Sequence, residues 1–150
     1  AIFRHLVDTN LMGTVHGLST IISPMIARKS GRILVVASLA GYRGLPTAAA
    51  YGATKAALIN MCEALRPELG KKGVVLQLIN PGFVKTPLTD KNKFSMPYLM
   101  PVEAAVEAIM RGLRSEKFEI AFPGRFAFLM KVLRCLPDPI FFALTTRMIK

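Results

Sequence analysis

Two runs of branched apolar residues, Arg32 to Ala37 and Val74 to Ile79, constrain this chain more than any other feature. Each follows a glycine, each ends in polar or turn-forming residues, and the stretch 47–70 between them carries a long helical pattern. A strand apolar at nearly every position suits burial on both faces, which alternating, one-side-wet antiparallel strands do not need. A helix between two such strands returns the chain to its starting edge, so the strands are predicted to run parallel.

The other segments extend the same pattern. Residues 1–28 place Phe3, Leu6, Val7, Leu11, Val15, Leu18, Ile22 and Met25 at helical spacing, with a bend expected at Pro24 and a basic, glycine-terminated end at Arg28 to Gly31. Pro67 is expected to kink or shorten the helix 47–70, because it removes a backbone donor. Asn80-Pro81-Gly82 breaks the second strand and opens a loop to about Met100. Pro101 then starts a third helix, with Glu103 and Glu107 near its positive end. Phe118 to Phe122 alternates as a last strand, ended by Pro123-Gly124, before an apolar and basic tail. The predicted order is helix, strand, helix, strand, helix, strand, tail: an α/β sheet of about three strands with flanking helices. The chain begins at Ala1, within a helical pattern and without a capping residue, so a segment upstream is expected.

Charge and rare residues narrow the function classes. Hydrophobic residues make up 52% of the chain, too many for a disordered segment. Twenty Lys and Arg against nine Asp and Glu give a net charge of +11. They are scattered, with the largest local excess at Lys85, Lys91 and Lys93, and no interleaved aromatic residues offer stacking platforms. A nucleic-acid partner is therefore not expected. Cys62 and Cys135 lack a C-x-x-C partner, and His5 and His16 lack further ligands at metal spacing, so buried, reduced thiols and no metal site are expected. The most apolar stretch, 11–27, is interrupted by Thr14, His16, Ser19, Thr20 and Ser23, so no spanning segment or signal peptide is expected, and a cytoplasmic location is.

Parallel α/β sheets gather ligands at the carboxyl ends of their strands. Ser38 directly follows the first strand, and Tyr51 and Lys55 follow it one helical turn apart on one face. An ammonium beside a phenol favours the phenolate and lowers its pKa from about 10, which suits a general acid or base. Tyr-x-x-x-Lys alone is a short motif that arises by chance. Taken singly, Ser38 also reads as a turn hydroxyl, Tyr51 as core, Lys55 as a solvated charge and Asn10 as a packing amide.

In succession, Asp8-Thr-Asn10-Leu-Met-Gly13, Ser38-Leu-Ala-Gly41, Tyr51-Gly-Ala-Thr-Lys55 and Asn80-Pro-Gly-Phe-Val-Lys-Thr86-Pro87 resemble the signature of the short-chain dehydrogenase/reductase family over residues 1 to about 115. The resemblance implies the C-terminal part of a Rossmann-like doubly wound parallel sheet and an NAD- or NADP-dependent oxidoreductase. Tyr51 would exchange a proton with the substrate oxygen, Ser38 would hold that oxygen, Lys55 would lower the Tyr51 pKa and bind the nicotinamide ribose, and Asn10 would orient a relay water. Pro81, Gly82, Val84 and Thr86 would embrace the nicotinamide. The substrate would be an alcohol or carbonyl compound, apolar or lipid-like. A homodimer or homotetramer would form through helices 1–28 and 48–70.

The family's Thr-Gly-x-x-x-Gly-x-Gly phosphate loop has no counterpart, since Gly13/Gly17 and Gly41/Gly44 lack the third glycine and the preceding strand. Cofactor preference is thus open, and the chain alone is expected to be a fragment that binds the dinucleotide poorly. Residues 1–122 are assigned to the sheet domain and 123–150 to a tail, read as a substrate lid or as a basic amphipathic segment on a membrane surface. A non-catalytic remnant and a membrane-surface module are the alternatives to an enzyme.

Overall fold

The computed structural model describes residues 1–149 apart from 88, 92 and 93, so Lys93 of the basic excess lies outside the described residues. The N-terminal helical region is α1 (Ile2–Leu6), a π-helical segment Val7–Met12 and α2 (Gly13–Ala27). It continues through Pro24 to Ala27. Strand β1 (Gly31–Val36) follows, then a 3-10 turn Leu39–Gly41 and helix α3 (Ala49–Lys71). This helix begins two residues later than expected because Thr47 sits at φ 64, outside the helical region. Pro67 does not shorten it; the helix runs on to Lys71.

Strand β2 (Val74–Pro81), helix α4 (Val102–Leu113), strand β3 (Glu119–Phe122) and helices α5 (Gly124–Cys135) and α6 (Asp138–Thr146) complete the described fold. The sheet is parallel, in the order β1-β2-β3, with Ile33 opposite Leu76 and Ile79 opposite Ile120. This is the α/β architecture that the apolar strand runs predict.

Side chains alternate between the two faces of the sheet. On one face Ile33, Val35, Leu76 and Leu78 pack with Leu18 of α2, Leu58, Ile59 and Cys62 of α3, and Phe126, Ala127 and Met130 of α5. On the other, Ile79, Ile120 and Phe122 meet Ala105 of α4. Fully buried Gln77 also points to that side, and its amide donates to the carbonyls of Gly112, Ser115 and Lys117 at the end of α4. It thereby ties the last turn of α4 and the chain that follows it to β2.

The tail folds as two helices. Helix α5 is anchored in the main core, while Phe128, Leu129, Val132, Ile140, Phe142 and Leu144 are exposed. Among the described residues no helix is long and apolar enough to cross a membrane. Cys62 is buried, and burial pushes its thiol up to about 11, whereas Cys135 is exposed, contrary to the expectation of buried thiols.

Candidate active site

The carboxyl ends of β1 and β2 meet beside α3. The amide of Ala37 donates to the Ile79 carbonyl at 2.8 Å, which carries the ladder one residue past β1 and sets Ser38 at the rim. Ser38 Oγ accepts from the Ala40 amide at 3.1 Å, capping the turn Leu39–Gly41, and donates to the Pro81 carbonyl at 3.4 Å. The turn reading of Ser38 is therefore true, and the same hydroxyl also faces the end of β2. The loop lies hard against α3: a Cβ on Gly41 would stand 2.7 Å from the Lys55 carbonyl carbon and 2.9 Å from the Ala56 nitrogen. Only glycine permits that approach.

Tyr51 and Lys55 occupy the first turns of α3. Lys55 Nζ donates to the Val36 carbonyl at 3.0 Å and lies 5.6 Å from the centre of the Tyr51 ring. Burial lowers the Lys55 pKa, because desolvation disfavours its charged form. Thr54, buried between them, donates to the Tyr51 carbonyl at 2.8 Å and accepts from Asn10 Nδ2 at 3.2 Å. Asn10 stands in the π-helical segment and so reaches the Tyr51 turn through Thr54. Such segments widen a helix locally and re-aim its side chains. Thr54 lies inside the Tyr51-to-Lys55 motif, but nothing in the sequence distinguishes it from a spacer.

The strand end Pro81 leads into a braced turn. The Gly82 amide donates to the Phe122 carbonyl at 2.7 Å, and a Cβ on Gly82 would fall 2.8 Å from Phe126 Cδ1. Val84 bridges Met100 within the stretch expected to be loop. Thr89 Oγ1 donates to the Val84 carbonyl at 2.7 Å and accepts from the Thr86 amide at 2.8 Å, so it ties together two residues singled out from the sequence. An aromatic group extends from this turn: Phe83 lies 5.9 Å from both Phe94 and Phe126, and Tyr98 stacks on Phe126 at 5.7 Å between centres.

A polar cluster absent from the sequence reading lies behind the rim. Glu119 Oε1 accepts from Tyr42 Oη and from Asn80 Nδ2, the latter at 2.6 Å, and its Oε2 pairs with Lys131 Nζ at 2.5 Å. Burial of the Glu119 carboxyl is outweighed by these donors, and its pKa is lowered. Burial and the Glu119 carboxylate raise the Tyr42 pKa. Asn80, polar at the end of a strand that is apolar apart from Gln77, is the sequence signal for this cluster. Among the described residues no group of three His, Cys, Asp or Glu is arranged to hold a metal ion.

Known proteins share both the sequence and the fold. A profile of the short chain dehydrogenase family matches residues 1–96. An uncharacterized oxidoreductase of Myxococcus xanthus is 41% identical over 145 residues, covering 97% of this chain and 57% of the relative. A 3-oxoacyl-acyl-carrier-protein reductase of Chlamydia muridarum is 39% identical over 84 residues, covering 56% of this chain and 34% of the relative. A solved short chain dehydrogenase from Burkholderia cenocepacia, in complex with NADP, superposes with a TM-score of 0.81 at 26% identity, over 99% of this chain and 61% of that one. The chain thus spans little more than half the length of the Myxococcus relative. With the family profile matched over residues 1–96 and the fold shared, the chain belongs to the short-chain dehydrogenase/reductase family.

Proposed function

We propose that this chain carries the proton-transfer centre of an oxidoreductase that uses NAD or NADP to interconvert an alcohol and a carbonyl on an apolar substrate. The observation that carries this reading is the position of Lys55, whose ammonium is held between the Val36 carbonyl and the Tyr51 ring at the carboxyl rim of the sheet. That sets a cation beside the ring whose hydroxyl this reading assigns to proton transfer. Tyr51 gives its proton to the substrate oxygen in reduction and takes it back in oxidation. The bond from Ser38 to Pro81 is long at 3.4 Å, so the Ser38 hydroxyl is available to hold the same oxygen. Asn10, acting through Thr54, fixes the turn that presents Tyr51 and supports a proton relay beside Lys55.

The donor set fits the nicotinamide end of the cofactor. An ammonium has three N–H groups, and the bond to Val36 engages one, leaving donors for ribose hydroxyls. Pro81, Gly82, Val84 and Thr86 form the braced turn beside it. The cofactor, when bound, supplies or accepts the hydride. No glycine-rich phosphate loop occurs in this chain, so the residues present fit that end alone. The relatives include a ketoacyl reductase and an NADP complex, which supports a carbonyl substrate and a nicotinamide cofactor.

The aromatic group Phe83, Phe94, Tyr98 and Phe126 supports an apolar substrate, as does the exposed apolar surface of α5 and α6, read here as a wall of the pocket rather than a membrane contact. Association through the N-terminal helical region and α3 belongs to the same reading. The test is hydride transfer from NADH and NADPH to ketones of increasing alkyl length, with wild type and Tyr51→Phe side by side. Loss of general acid catalysis is expected to lower kcat by roughly 100-fold or more; equal turnover by the two proteins would remove Tyr51 from the reaction.

A further inference from the structure

Ser38 sits where two chain segments converge, the loop after β1 and the end of β2. The same two segments are joined a second time, behind the rim, by one carboxylate. Tyr42 stands four residues beyond Ser38 and is 7% exposed, and Asn80, fully buried, immediately precedes Pro81, whose carbonyl faces Ser38. Both donate to Glu119 Oε1, while Lys131 balances the charge from α5. We infer that Glu119 is a positioning residue, which locks the Ser38 loop to the Pro81 turn and so sets the place of the Ser38 hydroxyl.

The chemistry of the cluster makes the lock depend on this one side chain. An ionised carboxylate only accepts, and one of its oxygens has room for two donors. Without it, the Tyr42 hydroxyl and the Asn80 amide would lose the acceptor they share, and a buried donor left unpaired costs more than the bond itself contributes. Asn80 already carries one unmet group, since its Oδ1 lacks a hydrogen-bond partner, so loss of the carboxylate would leave both ends of its amide unsatisfied where they now stand. The segments would then separate or turn toward other partners, and Ser38 would move with them. The inference rests on the reading of Ser38 and Tyr51 given above, but its physical core, the link between two segments, can be measured without turnover.

Four variants in the otherwise intact protein separate the possibilities: Glu119→Leu, Glu119→Gln, Tyr42→Phe and Lys131→Met. Glu119→Leu removes the acceptor and is expected to lower kcat roughly 10- to 100-fold with KM little changed, the scale of a small misplacement of a reacting group. Glu119→Gln keeps an accepting oxygen and is expected to retain kcat within about threefold, because a neutral acceptor preserves both bonds. Lys131→Met removes a half-exposed partner that touches neither segment and is expected to leave kcat unchanged. Tyr42→Phe cuts only the loop's arm and reads the same link if Glu119→Leu does not fold. Amide hydrogen exchange of residues 38–42 gives the second readout: faster exchange in Glu119→Leu and Tyr42→Phe, but not in Glu119→Gln, supports the lock whether or not a substrate is turned over. Unchanged exchange in both, or an equal change in Lys131→Met, overturns it. An inactive wild type with the expected exchange pattern would instead count against the proposed reaction alone.

Discussion

Gly41 shows how finely this site depends on single atoms. It lies in the Ser38 loop at the point of contact with α3, where an added Cβ would meet the backbone of Lys55 and Ala56, as well as Ile59 Cδ1 at 2.8 Å. A flexible side chain can move aside, but helix backbone bonded to its own turns cannot, so the loop itself must lift. Gly41→Ala is expected to cost about 1–3 kcal/mol, the usual range for overpacking, and to reduce turnover further by shifting Ser38. Gly44, in the same loop, has nothing within 4 Å of a Cβ position, so Gly44→Ala is the matched control. Its stability is expected to stay within about 0.5 kcal/mol of wild type, as for an ordinary surface change. Urea melts and steady-state rates of the two variants check both values; equal behaviour would mean that the loop does not need its close approach to α3.

Among the elements, the end of α5 and the start of α6 are joined by one residue of the same loop. Arg43 Nη1 donates to the carbonyls of Leu133 at 3.1 Å and Leu136 at 2.5 Å, closing the end of α5, while Nη2 pairs with Asp138 at the start of α6. Its guanidinium lies 3.8 Å from the centre of the Phe141 ring. Arg43→Ala is expected to destabilise the protein by about 2 kcal/mol, from the lost charge-assisted bonds to part-buried carbonyls and a lost cation–π contact. Arg43→Lys is expected to recover little of this, because an ammonium cannot span two carbonyls, a carboxylate and a ring face with a planar fork. Rapid proteolysis after α5 in the variants, and not in wild type, is the measurement; equal resistance would refute the clasp. Sequence alone shows the strands well, because runs such as Ile33 to Val36 can hardly be anything else. It also shows Ser38, Tyr51 and Lys55, which cluster at strand ends by chain order alone. Arg43, Thr54 and Glu119 stay hidden, since their partners lie many residues away and depend on how the helices pack. Glu119 is hidden for a further reason: the alternation from Phe118 to Phe122 identifies a strand, but not that α5 covers the polar side. The π-helical segment around Asn10 lies against α3, through Thr54, and no local pattern announces it.

For the molecule as a whole, the groups buried around the sheet set how stability varies with pH. Cys62, raised to about 11, and Tyr42, raised from its ordinary value of 10.0, hold their protons in the fold more tightly than in the unfolded chain. Between the unfolded and folded values the unfolded state carries fewer protons, so stability falls as pH rises, by up to about 1.4 kcal/mol per pH unit for each such group. Lys55 has the opposite sign: its lowered pKa means the fold releases that proton first, and stability rises with pH through its window. From pH 9, the ordinary thiol value, Cys62 falls alone against the rise from Lys55; above about pH 10, where the Tyr42 window opens, two falling contributions predict a net decline. On the acid side, Glu119 has a lowered pKa, so its network contributes fully above the unfolded value of 4.5 and is lost as pH falls through the folded one. Urea midpoints measured from pH 4 to 11 test the profile, and Cys62→Ala isolates one limb of it. Loss of the thiol is expected to lower stability at pH 8, by opening a small cavity in the core, but to flatten the decline between pH 9 and 11 by one proton. An alkaline slope identical in wild type and Cys62→Ala would mean that the thiol titrates alike in both states, and that burial between α3 and the sheet does not hold its proton.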